Sequence, residues 1–303
     1  MKNFIIIFSE KSGSSPIIKT LDNFESINTV GFEPFEQYQF VKEGYGKNIS
    51  LKDFRKCLDI IFSPEENKDH CDRLNGVLSK YREKENIYFS KKKCFGFKMR
   101  LKRKDYMKEV YDSIKRRSNV IFFLIRKDIF RWALSKYHGD GTGKEGHMQF
   151  DLADNKIDIK NIPKLKVEYK KLMDLIRKCE RDNGKKIAEL KRLRKKGIRA
   201  YPIYYEDFCN KKFEFFKSIL QKLEIYISDE EINEALKRDL HFKKVHSNDI
   251  RDFVINPQEA WIWFRNYPIY KKRFSVRIQG VLDYVIKKVE GIIIFLQSLF
   301  SSL

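Results

Sequence analysis

Four short apolar runs constrain this chain more than any other feature: NFIIIF at 3–8, CFGFKMRL at 94–101, NVIFFLI at 119–125 and IRAYPIYY at 198–205. The first is unbroken and bounded by a turn, as expected of a strand buried on both faces, and the other three read as strands of the same sheet. Helical spacing lies between them. Ile17, Ile18, Leu21 and Phe24 form one stripe, with Pro16 tolerated in its first turn. Further helices are predicted over 51–61, 69–81, the basic 106–117, 128–137 and 213–223. Gly31, Pro34, Gly44 and Gly46 break any long element in 25–50, and HGDGTGKEG at 138–146 reads as a flexible loop. Strands alternating with helices predict an α/β fold with a parallel sheet covered on both faces.

The chain has 303 residues, with 63 Lys+Arg against 42 Asp+Glu and a net charge of +21. That excess predicts an anionic partner without saying whether it is nucleic acid, a membrane surface, an acidic glycan or a phosphorylated cofactor. Cys57, Cys71, Cys94, Cys179 and Cys209 are odd in number and widely spaced. They predict neither a disulfide framework nor a zinc site, and they fit a reducing compartment. The histidines are scattered, with no HExxH pattern, and no metal site is expected. The first strand begins at about Phe4, and no apolar run is long enough to span a bilayer, so a cytoplasmic protein without a leader is expected.

The candidate site begins right after the first strand. In a strand–loop–helix unit, the helix N-terminus offers free N–H groups and the positive end of a dipole, which is a ready anion site. Lys11 adds a full charge there. Ser12, Gly13, Ser14 and Ser15 add hydroxyl donors and allow close backbone approach. Neither the Walker pattern nor GxGxxG is present, and a plain Ser/Gly turn is the alternative on these residues alone.

KSGSSP at 11–16 resembles the cofactor loop of sulfotransferases that use 3′-phosphoadenosine 5′-phosphosulfate. FFLIRKDIFRWALSKY at 122–137 is similar to the second motif of that family, with Arg126 ending a strand and Ser135 nine positions later. That spacing resembles the bacterial carbohydrate enzymes that modify trehalose, nodulation factors and surface glycans. YYEDF at 204–208 and KKVHSNDIRDFVINPQEAW at 243–261 resemble a late strand end and a C-terminal cofactor-closing segment. The resemblance covers roughly residues 3–265. It implies a P-loop-like parallel sheet flanked by helices, a sulfotransferase domain over 1–265, and a C-terminal helical extension over 266–303.

The resemblance also implies roles. Lys11 neutralises charge on the leaving phosphate and is counted as catalytic; Ser12, Gly13, Ser14 and Ser15 hold the 5′-phosphate; Arg126 and Ser135 hold the 3′-phosphate; Lys244 reaches the cofactor from the C-terminal segment. GFEPFEQY at 31–38 is similar to the E-P-x-E segment of the trehalose-type enzymes and makes Glu36 the general base, with Glu33 second. A base of this kind needs a raised pKa, through burial beside Phe32 and Phe35. His138 and His147 are the next places to look. Lys98 matches a strand lysine of related bacterial enzymes, with a sheet-edge ion pair as its alternative. Arg100 stands where the trehalose enzyme carries an aromatic residue, which points to a different acceptor. Glu206 and Asp207 read as capping or pairing residues.

The implied reaction moves a sulfuryl group from 3′-phosphoadenosine 5′-phosphosulfate to a hydroxyl of a carbohydrate or glycolipid, an anionic one included. The competing readings are a P-loop-type kinase, disfavoured by the missing Walker glycine–lysine order and the lack of an evident magnesium carboxylate, and a basic nucleic-acid-binding protein, supported by the net charge and by aromatics among lysines but with nucleic acid not expected as a partner. Two further segments carry charge or apolar surface. Residues 166–197 have Val167, Leu172, Leu175, Ile176, Ile187, Leu190 and Leu193 at helical spacing, predicting an amphipathic helix or helix pair with a solvated basic face. Residues 278–303 carry another apolar stripe, which predicts packing on the body or on a second copy, with peripheral membrane contact as the sharper alternative.

Overall fold

In the computed structural model, the described residues are 2–30, 51–52, 55, 58, 94–101, 104–116, 119–142, 164–238, 250–252 and 254–267. Glu33, Glu36, His147, Lys244 and the stripe at 278–303 lie outside them. The described residues divide into two compact units. One takes those within 1–162 and 175–246, the other those within 163–174 and 247–303.

The first unit is built on five parallel strands in the order β2-β3-β1-β4-β5: β1 (Lys2–Phe8), β2 (Ile27–Val30), β3 (Cys94–Arg100), β4 (Val120–Ile125) and β5 (Ala200–Tyr204). Helices α1 (Ser14–Asp22), α2 (Lys104–Arg116), α3 (Ile129–Thr142), α4 (Tyr169–Lys195, of which the part from Leu175 belongs to this unit), α5 (Tyr205–Asn210), α6 (Lys212–Leu223) and α7 (Asp229–Lys237) accompany it. The expected α/β sheet flanked by helices is therefore present. Alternation along β1 divides two apolar layers. Ile5 and Ile7 pack with Phe97, Met99 and Phe123 under Val110, Tyr111 and Ile114 of α2 and Leu190 and Leu193 of α4. Phe4, Ile6 and Phe8 pack with Phe122 and Leu124 under Ile17, Ile18 and Leu21 of α1 and Phe215, Phe216 and Ile219 of α6. Each fully buried side chain of this size contributes about 1.5–3 kcal/mol. Gly96 of β3 lies under the Phe4 ring, where a Cβ would come within 2.0 Å of Cζ.

β2 has no counterpart among the expected strands. It is four residues long and carries Asn28 and Thr29 in its middle, so pairing with β3 in the register Ile27↔Cys94 to Val30↔Phe97 defines it. Asp22 of α1 anchors it by accepting from the Thr29 amide at 2.9 Å and from the Thr29 hydroxyl at 3.1 Å. The loop expected from His138 onward begins instead as helix, because α3 continues to Thr142. A glycine weakens a helix by only about 1 kcal/mol and does not by itself end one. The basic stretch is one continuous helix, α4, with Gly184 inside it.

In the second unit, Leu165 and Val254 form a parallel bridge. The Asn256 amide group closes on Val167, accepting from its N–H at 2.8 Å and donating to its carbonyl at 2.9 Å. Pro257 then opens α8 (Pro257–Arg265). No helix among the described residues is long and apolar enough to cross a membrane.

Topology places the site. From β1 the chain leaves through α1 to β2 on one side, and from β4 it leaves through α3 and α4 to β5 on the other. Neighbouring strands whose connections diverge open a crevice at their C-terminal ends, where open α/β sheets bind ligands. The pairing bears this out. β1 pairs with β4 only as far as Ile7↔Phe123, whereas β1 pairs with β3 to Phe8↔Arg100 and β4 with β5 to Ile125↔Tyr204.

Candidate active site

The loop between β1 and α1 turns tightly, with the Ser12 N–H donating to the Ser9 carbonyl at 3.2 Å. Lys11 and Gly13 are both left-handed, at φ 53° and 86°. A non-glycine residue pays about 1–2 kcal/mol for that conformation. Gly13 is required for a second reason, since a Cβ there would lie 2.1 Å from Cε2 of Tyr205. Gly13 is also the N-cap of α1, so no side chain caps the first turn, and no acidic residue lies in that turn. The amides of Ser14 and Ser15 therefore head a positive dipole end without a competing carboxylate. Ser12 is buried, and its hydroxyl has no hydrogen-bond partner among the described residues.

Arg126 follows β4 and turns toward this loop. Its Nη1 donates to the Lys11 carbonyl at 3.0 Å, and its guanidinium carbon lies 4.6 Å from the centre of the Tyr205 ring. Its Nε is buried without an acceptor among the described residues. Tyr205 thus supports both the Gly13 backbone and the Arg126 side chain. Glu206 holds the neighbouring turn, its carboxylate accepting from the N–H groups of Lys127 at 3.0 Å and Asp128 at 2.9 Å. Asp128 in turn accepts from the Arg131 N–H at 2.9 Å at the start of α3. Trp132 donates from Nε1 to the Glu10 carbonyl at 2.8 Å, which ties α3 to the loop. The capping role expected of Glu206 is the one its geometry shows, and Asp207 pairs with Lys127 at 3.5 Å.

Lys98 is buried on β3, which lies between β2 and β1 in the sheet. Its Nζ donates to the Ser15 hydroxyl at 2.8 Å and lies 5.2 Å from the Phe8 ring centre. Arg100 pairs with Glu10. The nearby carboxylates Glu10, Glu206 and Asp207 are therefore engaged, while Lys11 is exposed with no carboxylate partner among the described residues. Among the described residues, the net character of this edge is cationic.

The structure brings Lys11, Ser12, Gly13, Ser14, Ser15 and Arg126 together. Ser135 stands farther along α3, half-buried, on the same less buried face as Arg131. His138 is a buried helix residue rather than a loop one.

Sequence reasoning missed the support behind Arg126. Along α4 the buried positions are Leu172, Met173, Ile176, Cys179, Asn183, Lys186, Leu190 and Leu193. Steps of three and four from Ile176 land on Asn183 and Lys186, a signal hidden by their polarity; Ile187, counted on the apolar stripe, is exposed. The Lys186 ammonium donates to the Leu124 carbonyl at 2.5 Å and the Asn183 amide to the Arg126 carbonyl at 2.8 Å. Burial pulls Lys186 down from its ordinary 10.5 to about 8, with Asp182 opposing.

Among solved structures, the chain is similar to a mouse sulfotransferase, SULT7A1, complexed with PAP, at 14% sequence identity and a TM-score of 0.43, over 89% of this chain and 87% of that one. No protein-family model matches the chain, and no curated protein matches it. What the fold and site define by themselves is an α/β protein with a cationic, anion-ready crevice at the point where its strand order reverses.

Proposed function

We propose that this protein is a sulfotransferase that uses 3′-phosphoadenosine 5′-phosphosulfate and acts on a hydroxyl of a carbohydrate or glycolipid. The observation that carries the reading is the Arg126–Lys11 junction. Two motifs that resemble the family's phosphate-binding segments meet at one crevice. There, a buried hydroxyl of Ser12 and a buried Nε of Arg126 are left without partners among the described residues. Buried polar groups are ordinarily satisfied, so this pair suits an anionic ligand with several acceptor oxygens.

When bound, the cofactor would supply the sulfuryl group. The Ser14 and Ser15 amides, with the Ser12 hydroxyl, would hold its 5′-phosphate at the positive end of α1. Lys11 would lie where charge grows as the bridging bond breaks, and a preorganised cation there stabilises the transition state more than the ground state. Arg126, stacked on Tyr205, would take the 3′-phosphate, with Ser135 as its partner by resemblance. Lys244 would close on the cofactor, and Glu36, or else Glu33, would take the acceptor's proton. The net charge of +21 supports an anionic acceptor.

The test is calorimetry with adenosine 3′,5′-bisphosphate. Arg126→Ala should weaken binding by about 2–3 kcal/mol, the scale of a hydrogen-bonded charge pair. Unchanged affinity would overturn the assignment.

A further inference from the structure

We propose that Lys186, together with Asn183, is a positioning residue for the anion site: the two side chains take up the carbonyls that β4 frees where it parts from β1, and so hold Arg126 toward the Lys11 loop. The proposal rests on the reading of that loop and Arg126 as a nucleotide phosphate site, and it adds residues that no motif pointed to.

The divergence of β1 and β4 that opens the crevice also ends their ladder, at Ile7↔Phe123. Buried carbonyls beyond that point need other donors. The Leu124 carbonyl receives the Lys186 ammonium at 2.5 Å, and the Arg126 carbonyl receives the Asn183 amide at 2.8 Å. The polar turn of an otherwise apolar buried stripe on α4 therefore coincides with the freed end of β4. A second route runs through α3. Lys186 Nζ lies 5.1 Å from the centre of the Trp132 ring, and Trp132 donates to the Glu10 carbonyl, one residue before Lys11. Both routes converge on the contact between Arg126 and the Lys11 carbonyl.

The charged groups facing Lys186 are Asp182, beside Cys179 on α4, and Lys136 on α3; β4 offers it a carbonyl. Lys136 pairs with Asp182 at 3.5 Å. Burial sets Lys186 to titrate at about 8, so its charge changes just above neutrality. An anion bound nearby favours the protonated form. Binding at a pH slightly above 8 should then draw in a proton, and affinity should fall as the ammonium is lost.

The experiment is calorimetry of full-length protein with adenosine 3′,5′-bisphosphate from about pH 7 to about pH 9.5, in two buffers of different ionisation enthalpy. Wild type should lose affinity several-fold across that range and take up protons on binding. Lys186→Met should bind about tenfold more weakly at neutral pH, the scale of one charged hydrogen bond, and show neither the pH step nor the uptake. Asn183→Ala should weaken binding but keep the step. Lys186→Met with wild-type affinity and an intact step would overturn the proposal. Should that variant not fold, a flat wild-type profile overturns it equally. Should wild type bind no bisphosphate, the nucleotide reading fails instead. Hydrogen exchange then decides the positioning role: Lys186→Met or Lys186→Gln should speed exchange in 9–15 and 124–128, and unchanged exchange in both segments refutes it.

Discussion

Replacing Lys186 with methionine should alter how stability depends on pH, in a direction the burial of this side chain dictates. Desolvation lowers its pKa from 10.5 to about 8, with Asp182 opposing the shift and Lys136 adding to it. In the unfolded chain the ammonium keeps its proton to about 10.5. Between about pH 8 and 10.5 the unfolded state therefore binds more protons than the native state, and this residue makes wild type more stable as pH rises. Below about 8 both states are charged and the native state bears the whole cost. At roughly 1.4 kcal/mol per pH unit, the interval from 10.5 to 8 corresponds to about 3 kcal/mol. Methionine removes that cost but leaves the Leu124 carbonyl without its donor, at about 1–3 kcal/mol. Near neutrality the two nearly cancel. Burial also raises the Cys94 and Cys179 thiols, which work in the opposite sense above about pH 9. Cys94 does not feel Lys186 and drops out of the difference. Cys179, which the Lys186 charge only holds down against its burial, is pushed up to about 12 and keeps its proton in the folded state across this range. Urea unfolding at several pH values gives that difference directly. Wild type should gain about 2 kcal/mol on Lys186→Met between about pH 7 and about pH 9.5. A difference that does not change with pH would refute the reasoning.

Gly13→Ala should destabilise the fold and weaken bisphosphate binding together, because its Cβ would meet the Tyr205 ring at 2.1 Å and its φ is 86°. Gly184→Ala meets nothing within 4 Å inside α4 and should stabilise by about 0.5–1 kcal/mol, so thermal melts in which both variants behave alike would discredit the Tyr205 cradle. Glu36→Gln should cut turnover by roughly 10²–10⁴-fold while sparing nucleotide affinity, and Glu33→Gln should do much less; the reverse order in steady-state assays makes Glu33 the base. Because lysine and arginine supply the charge at the crevice, activity should survive exhaustive chelation, and a loss restored by magnesium would favour the kinase reading.

Periodicity and loop chemistry are local properties, and they made most of the sheet legible. Runs such as NFIIIF and NVIFFLI specify strands buried on both faces. Once those strands are parallel, a loop after β1 and an arginine after β4 must come to the same edge, so Lys11 and Arg126 were readable as partners before any contact was known. Three other features were not local. β2 is a strand only because β3 offers it a register, and its own four residues carry little pattern. Gly13 looks like a turn residue in the sequence, and the ring that forbids a side chain there comes from Tyr205, far along the chain. Lys186 and Asn183 interrupt an apolar stripe and so read as solvated. They are buried because β4 leaves β1 after Phe123 and its carbonyls need donors, a vacancy that arises only when the strands have assembled and diverged.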